Sequence, residues 1–213
     1  HGFIEGSALV VLSPGIPLSA PPVRWAAQRG IPVVSELELG SWYCAGQTVA
    51  VTGSNGKSTV VSMLGKILET AGRSAVVCGN IGTPLCSVLN RIGTETVVVL
   101  EVSSFQLEPS LSFHAWIGCV LNVTDNHLDR HGSFADYRAA KARLFAHQSR
   151  GGWAVLNADN AGSSGMSREV RAQQAFFSRR KEVTGAFLRG GELWLNLPGL
   201  AGKICRVDEL SLQ

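Results

Sequence analysis

A chain of 213 residues that is 45% apolar and 16% charged can build a proper core, in one large domain or two small ones. Its net charge of +3 is small for that length, which argues against nucleic acid as the main ligand while leaving anionic small molecules open. No apolar run approaches the roughly 18 residues of a membrane span, so no membrane insertion is expected. The cysteines (Cys44, Cys78, Cys86, Cys119 and Cys205) are odd in number and lack C-x-x-C spacing. Reduced thiols and a cytoplasmic location are expected, rather than a disulfide framework or a zinc site.

In chain order, Ala8 to Leu12 reads as a short strand ending at the turn Ser13-Pro14-Gly15. Pro21 and Pro22 open a helix through Gln28, and Ile31 to Val34 is a further strand. Glu36 to Gly46 reads as a linker, with a domain boundary near Gln47. From there strands and helices alternate. Val49 to Thr52 is a strand, and Ser58 to Ala71 a helix with Val60, Val61, Leu64, Ile67, Leu68 and Ala71 on one face. Ala75 to Cys78 is a strand, and Pro84 begins a helix through about Leu89. Thr96 to Leu100 and Ile117 to Leu121 are continuous apolar runs, as central parallel strands buried on both faces require. Phe134 to His147 is helical and Trp153 to Leu156 is a strand. After Asp159 the pattern changes to short pieces, Ala175 to Ser178, Gly185 to Leu188, Glu192 to Leu197 and Lys203 to Val207. The expected fold is α/β: a parallel, doubly wound sheet of the phosphate-loop type with a small, mostly antiparallel β extension. The sequence starts at His1 rather than Met and stops shortly after Val207, so a fragment is expected.

Val49 to Thr59 reads V-A-V-T-G-S-N-G-K-S-T. A β-branched strand, a glycine loop (Gly53, Ser54, Asn55, Gly56) and a helix opening on Lys57-Ser58-Thr59 form a nucleotide triphosphate site. Backbone N–H groups and the helix N-terminus face the phosphates, Lys57 supplies point charge and a hydroxyl reaches Mg²⁺. The common phosphate loop has a glycine six residues before its lysine; here Val51 stands there, so the loop is a shortened variant.

In an open α/β sheet, ligands bind beyond the carboxyl ends of the strands. Glu101 follows one central strand directly, where a carboxylate beside a phosphate loop suits Mg²⁺ or a water; alone it reads equally as a helix cap. Asn122, Thr124, Asp125, His127 and Asp129 follow another strand. His127 by itself is an ordinary loop histidine, although imidazole joins Mg²⁺ or Mn²⁺ sites when carboxylates or phosphates supply the other oxygens. Lys141 lies on the apolar face formed by Phe134, Tyr137, Leu144 and Phe145, and Arg143 on the opposite side. Either Lys141 snorkels or it is held near an anion or modified, because burial favours a neutral amine that can add CO₂.

Taken together, Thr52-Gly53-Ser54-Asn55-Gly56-Lys57-Ser58-Thr59, Gly79-Asn80-Ile81-Gly82, Glu101-Val102-Ser103-Ser104-Phe105-Gln106-Leu107-Glu108, Asn122 through His131 and Tyr137-Arg138-Ala139-Ala140-Lys141 resemble, in order, the motifs of the Mur ligases and folylpolyglutamate synthases. The Ser-Ser-Phe-Gln-Leu-Glu and Gly-Asn-Ile-Gly segments are most similar to the cytoplasmic members that join D-glutamate to UDP-N-acetylmuramoyl-L-alanine. The resemblance implies that residues 1–46 are the end of a UDP-substrate-binding domain. It implies that 47–213 are most of a central ATP-binding domain, the C-terminal amino-acid-binding domain being absent.

It also implies that Lys57 and the loop Gly53 to Thr59 bind ATP. Ser58 and Glu101 then hold a first Mg²⁺, and His127 with carbamylated Lys141 a second. Asn80 and Ser103 resemble substrate-contacting positions, and Pro14 and Gly15 a turn lining the uridine site. A monomer is expected. Asn126 departs from the family, where many relatives carry Asp. The alternatives are another ligase of the superfamily, an ATP-binding fragment without turnover, and an unrelated phosphate-loop ATPase or kinase.

Overall fold

Alternation of β-branched runs with capped helices organises the chain into eleven strands, described over residues 4–126 and 128–210 of a computed structural model, with Leu128 and Asp129 described by their backbone. β1 (Val10–Leu12), α1 (Pro21–Gln28) and β2 (Val33–Ser35) form a small unit in which the two strands pair in parallel. α2 (Glu36–Tyr43) leads to β3 (Gln47–Thr52), α3 (Lys57–Thr70), β4 (Ala75–Gly79), a 3₁₀ segment over Leu85–Arg91, and β5 (Val97–Glu101). Then come α4 (Ser104–Leu107), β6 (Ile117–Val120), α5 (Leu128–His131), α6 (Phe134–Ala142), β7 (Trp153–Asn157) and α7 (Ala161–Ser164). The chain closes with β8 (Gln173–Ser178), β9 (Gly185–Arg189), β10 (Glu192–Leu197) and β11 (Leu200–Arg206).

One nine-stranded sheet runs β11-β10-β9-β8-β7-β6-β3-β5-β4, parallel from β4 to β9. As expected, the Val97–Glu101 strand is buried on both faces; it lies inside the sheet, between β3 and the edge strand β4. Successive side chains of a strand point to opposite faces, and here each face has its own cluster. Ala50, Val98, Leu100, Val120 and Leu156 join Tyr137 and Leu144 of the α6 side. Val51, Val97 and Val99 join Val61 of α3. The α3 stripe is incompletely covered: Ile67 is 59% exposed. It borders an apolar cleft of about 520 Å³ whose lining includes Val49, Leu64, Val99 and Ile117. No helix among the described residues is long and apolar enough to cross a membrane.

One expectation needs correction and a second gains detail. The linker from Glu36 is a helix. Its apolar positions lack helical periodicity, so its stability comes from a cap and a buried acid. Ser35 accepts from the N–H of Glu38, and Glu36 and Glu38 lie in the first turn, where the helix dipole favours them. Secondly, the expected antiparallel extension is present in the β9–β10 and β10–β11 pairings, while β8 and β9 join the main sheet through parallel pairings. The segment before β8 is helical (Ala161–Ser164, then Gly165–Glu169 in 3₁₀ form), which is the crossover a parallel return needs. β9 approaches β8 closely at Gly185, with φ of 131°, where a Cβ would meet the Phe176 carbonyl oxygen at 1.9 Å; glycine is required there. Elsewhere strand and helix ends shift by a few residues, and Phe134 is more exposed than its helical face implied.

Glu38 is fully buried and ties α2 to the loop before β6. Its carboxylate accepts from the backbone N–H of Leu111, Ser112 and Phe113, from the Ser112 hydroxyl and from Trp42 Nε1. Burial pushes this carboxyl up, but the bonds from Ser112, Trp42 and Phe113 outweigh it and hold it below the ordinary value of 4.5. A depressed folded pKa gives stability that is present above the unfolded value and is lost as pH falls through the folded one. Glu38→Ala leaves several buried donors unmet and is expected to lower stability by about 2–4 kcal/mol at neutral pH. Urea unfolding should also show a smaller acid-induced loss in the variant than in the parent.

Candidate active site

Chain direction gathers the candidate residues at one edge, because β3, β5 and β6 are adjacent and parallel and all end there. β3 runs into the loop Gly53 to Gly56. Gly56 is the N-cap of α3, with φ of 84° and no side-chain cap. The first-turn N–H groups of α3 therefore have neither an intrahelical nor a capping partner, which is the arrangement an anion completes. Lys57 folds back over the loop, donating to the carbonyls of Gly53 at 3.0 Å and Ser54 at 3.3 Å. Thr59 is exposed in the same first turn.

The loop is braced from β6. Asn122 accepts from the Asn55 N–H at 2.9 Å and donates to the Asn55 carbonyl at 3.1 Å. The Ser54 hydroxyl receives the Thr124 N–H at 3.0 Å and lies 3.2 Å from the Tyr137 hydroxyl. Sequence reasoning placed Asn122 after its strand but assigned it no role, and missed the Ser54–Tyr137 contact. An amide directly beyond a buried strand at the ligand edge was the available signal for the first.

Glu101 shares the strand parity of Val97 and Val99, so its carboxylate emerges on the α3 face. There it accepts from Ser58 Oγ at 2.6 Å and from Asn80 Nδ2 at 2.8 Å, and it is 3% exposed. Asn80 reaches it because Gly79, with φ of 109°, lets β4 approach: a Cβ there would lie 2.4 Å from the Glu101 carbonyl oxygen. Ser58, Glu101 and Asn80 thus form one connected set. Ser103 caps α4 in a capping box with Gln106.

Lys141 comes from the opposite face. Thr52 has the parity of Ala50, and Lys141 Nζ donates to Thr52 Oγ1 at 3.3 Å and to the Gly53 carbonyl at 3.0 Å, above the Tyr137 ring. Lys141 is 1% exposed, so it does not snorkel. Burial, then the nearby Lys57 charge, pushes its ammonium down to about 7. Arg143, expected on the solvated side, is exposed but also donates to the carbonyls of Leu107 and Ser110. His127 lies outside the described residues. Pro14 and Gly15 sit in the turn after β1, and the next residue, Ile16, accepts from Arg130 at 3.1 Å.

Among the described residues no group of three or more His, Cys, Asp or Glu side chains forms a metal site by itself. The donor set nevertheless fits Mg²⁺, which binds through one or two carboxylates, with phosphate oxygens and waters completing its shell.

A lysine whose folded pKa lies below its unfolded 10.5 destabilises the fold fully below about 7, and the penalty lifts as pH rises. The urea midpoint should therefore climb between about pH 6.5 and 7.5, below the range around pH 8.5 where unfolded thiols ionise. In Lys141→Met that climb should be absent.

The family described as the Mur ligase middle domain matches residues 51–196. Similar curated proteins include the UDP-N-acetylmuramoylalanine--D-glutamate ligase of Pelotomaculum thermopropionicum, 47% identical over 98% of this chain and 46% of that protein. The ligase of the same description from Koribacter versatilis is 42% identical over 96% and 46%. This chain spans about half the length of these relatives. In fold it is similar to MurF from Acinetobacter baumannii, with a TM-score of 0.60, 20% identity, and 80% of this chain and 41% of that one covered. It is also similar to the UDP-N-acetylmuramate:L-alanyl-gamma-D-glutamyl-meso-diaminopimelate ligase from Neisseria meningitides, with a TM-score of 0.60, 15% identity, and 96% and 70% covered. With residues 51–196 matched to its middle domain, the chain belongs to the Mur ligase family.

Proposed function

We propose that this chain is the ATP-binding core of a ligase that joins D-glutamate to UDP-N-acetylmuramoyl-L-alanine in peptidoglycan precursor synthesis in the cytoplasm. Residues 1–46 would close the UDP-substrate domain and 47–213 would form most of the central domain. The observation that carries the reading is the Ser58–Glu101 pair at the head of α3, set against a buried Lys141 on the same phosphate loop. The 47% identity to a D-glutamate ligase supports the choice of substrates.

In this reading Gly53 to Thr59 hold the phosphates of ATP, with Lys57 turned from the loop carbonyls onto the β- and γ-phosphates. Ser58 and Glu101 hold one Mg²⁺; His127 and Lys141 hold a second. Lys141 does so as a carbamate: its neutral amine adds to the carbon of CO₂ and releases a proton, so a cation becomes an anionic oxygen ligand. Bound Mg²⁺ supplies charge neutralisation. Asn80 and Ser103, with Pro14 and Gly15, orient the UDP-bearing substrate. Its terminal carboxylate attacks the γ-phosphorus and ADP leaves, giving an acyl phosphate; Lys57 offsets the repulsion between two anions. The amine of D-glutamate then attacks the acyl carbon, phosphate departs and an amide forms.

The test is ADP release by the full-length parent protein, which should require both UDP-N-acetylmuramoyl-L-alanine and D-glutamate. Sustained turnover beyond one ADP per enzyme without the amino acid, or with a different one preferred, would overturn the reading. Glu101→Ala and Lys141→Ala should each lower kcat by about 10²–10³-fold, and acetate or bicarbonate should restore part of the Lys141→Ala loss. The 213 residues alone should not ligate, since they span about half the length of the ligases they resemble and orientation of the incoming amine supplies roughly 7–11 kcal/mol of a barrier.

A further inference from the structure

A run of stacked and hydrogen-bonded side chains leads from the β1 turn to the phosphate loop, and its Arg130, Phe105 and His131 members lie outside the residues assigned to the phosphates. Arg130 Nη2 donates to the Ile16 carbonyl at 3.1 Å. The central carbon of the same guanidinium lies over Phe105, 3.8 Å from the ring centroid. Phe105 stacks on His131 at 5.1 Å and 12°, and His131 Nε2 is 2.9 Å from Ser104 Oγ. His131 leans on Tyr137 at 5.1 Å, and the Tyr137 hydroxyl meets Ser54 of the phosphate loop.

The turn at the far end has few other tethers. Among the described residues, the hydrogen bonds within 13–19 are local, Ile16 N–H to the Ser13 carbonyl and that of Ala20 back to Pro17. Ile16 is 46% exposed. The Arg130 bond is the one hydrogen bond described from this turn to a distant element, across 114 residues of sequence. An arginine that only solvated the surface would extend into water. Here the guanidinium sits over an aromatic ring and donates one N–H to a main-chain carbonyl, a combination that favours arginine over lysine. No carboxylate among the described residues pairs with it.

We propose that Arg130 is a positioning residue for the UDP-bearing substrate: held over Phe105, it latches the Ser13–Ile16 turn to the loops after β5 and β6 and so fixes the nucleotide-sugar side of the site. It touches no reacting atom. The proposal rests on the reading above that the Pro14–Gly15 turn contacts the uridine. Losing the latch frees the turn, so the cost falls on substrate affinity and not on phosphoryl transfer.

In the full-length parent protein, Arg130→Met should raise KM for UDP-N-acetylmuramoyl-L-alanine by about thirtyfold, the scale of a charged hydrogen bond together with a cation–π contact. The kcat at saturation should stay within about twofold, and KM for ATP should not move. Phe105→Leu should shift the same constant in the same direction. Arg130→Lys should recover part of the loss, since an ammonium still reaches the Ile16 carbonyl without the planar face. An unchanged substrate KM in Arg130→Met overturns the proposal. So does a parallel loss in kcat, both KM values and the unfolding midpoint, which would make Arg130 a general structural support. If Arg130→Met does not fold, Phe105→Leu decides by the same criterion. If the unaltered enzyme does not ligate these substrates, the functional reading fails by itself, and calorimetric binding of UDP to parent and variant decides: weaker binding by the variant upholds the latch and equal binding overturns it.

Discussion

Val51 pairs with Glu101 between β3 and β5, and Gly79 pairs with the same Glu101 from β4. Because strand side chains alternate, a slip of one residue in either pairing would turn the carboxylate to the α6 face, away from Ser58. The register is held by apolar packing on both faces: Val97 and Val99 have one set of neighbours, Val98 and Leu100 another. The acid at the site is therefore aimed by the burial of residues that never touch a ligand. Gly79 belongs to the same constraint, since any side chain there would push β4 away from Glu101 and take Asn80 with it.

The same alternation makes the phosphate loop a meeting point of two faces. α3 brings Lys57 and Ser58 from one side, and α6 brings Lys141 under Thr52 from the other. Lys57 and Lys141 both donate to the Gly53 carbonyl at 3.0 Å. Two ammonium groups sharing one oxygen repel each other, and burial leaves Lys141 the one that yields its proton. An anion at the helix N-terminus would draw Lys57 off that carbonyl and relieve the pair.

Much of this was legible in the sequence because it rests on local pattern. A β-branched strand, two glycines and Lys-Ser specify the loop. An apolar run ending in Glu101 specifies an acid at the ligand edge, and a lysine inside an apolar stripe is an anomaly wherever it occurs. What escaped reading depends on distant partners. α2 has no apolar periodicity; it is held by Glu38 bonding to residues more than seventy positions away. The pairing of β9 with β8 is a choice among edges that composition does not encode. Arg130 reads as an ordinary loop cation until Phe105 and Ile16 are brought beside it.

The apolar cleft beside α3 bears on how the chain meets water. Val49, Val99, Ile117, Leu64 and Ile67 line it, while the α6 face of the same sheet is closed. Surface that is hydrated before unfolding adds nothing to the change in hydration on unfolding. That surface therefore lowers the heat-capacity increment of unfolding, which scales with the apolar area newly exposed. Its native state should also take up environment-sensitive apolar dyes, a property usually associated with loosely packed intermediates. Here that signal would come from an ordered sheet with one face incompletely roofed.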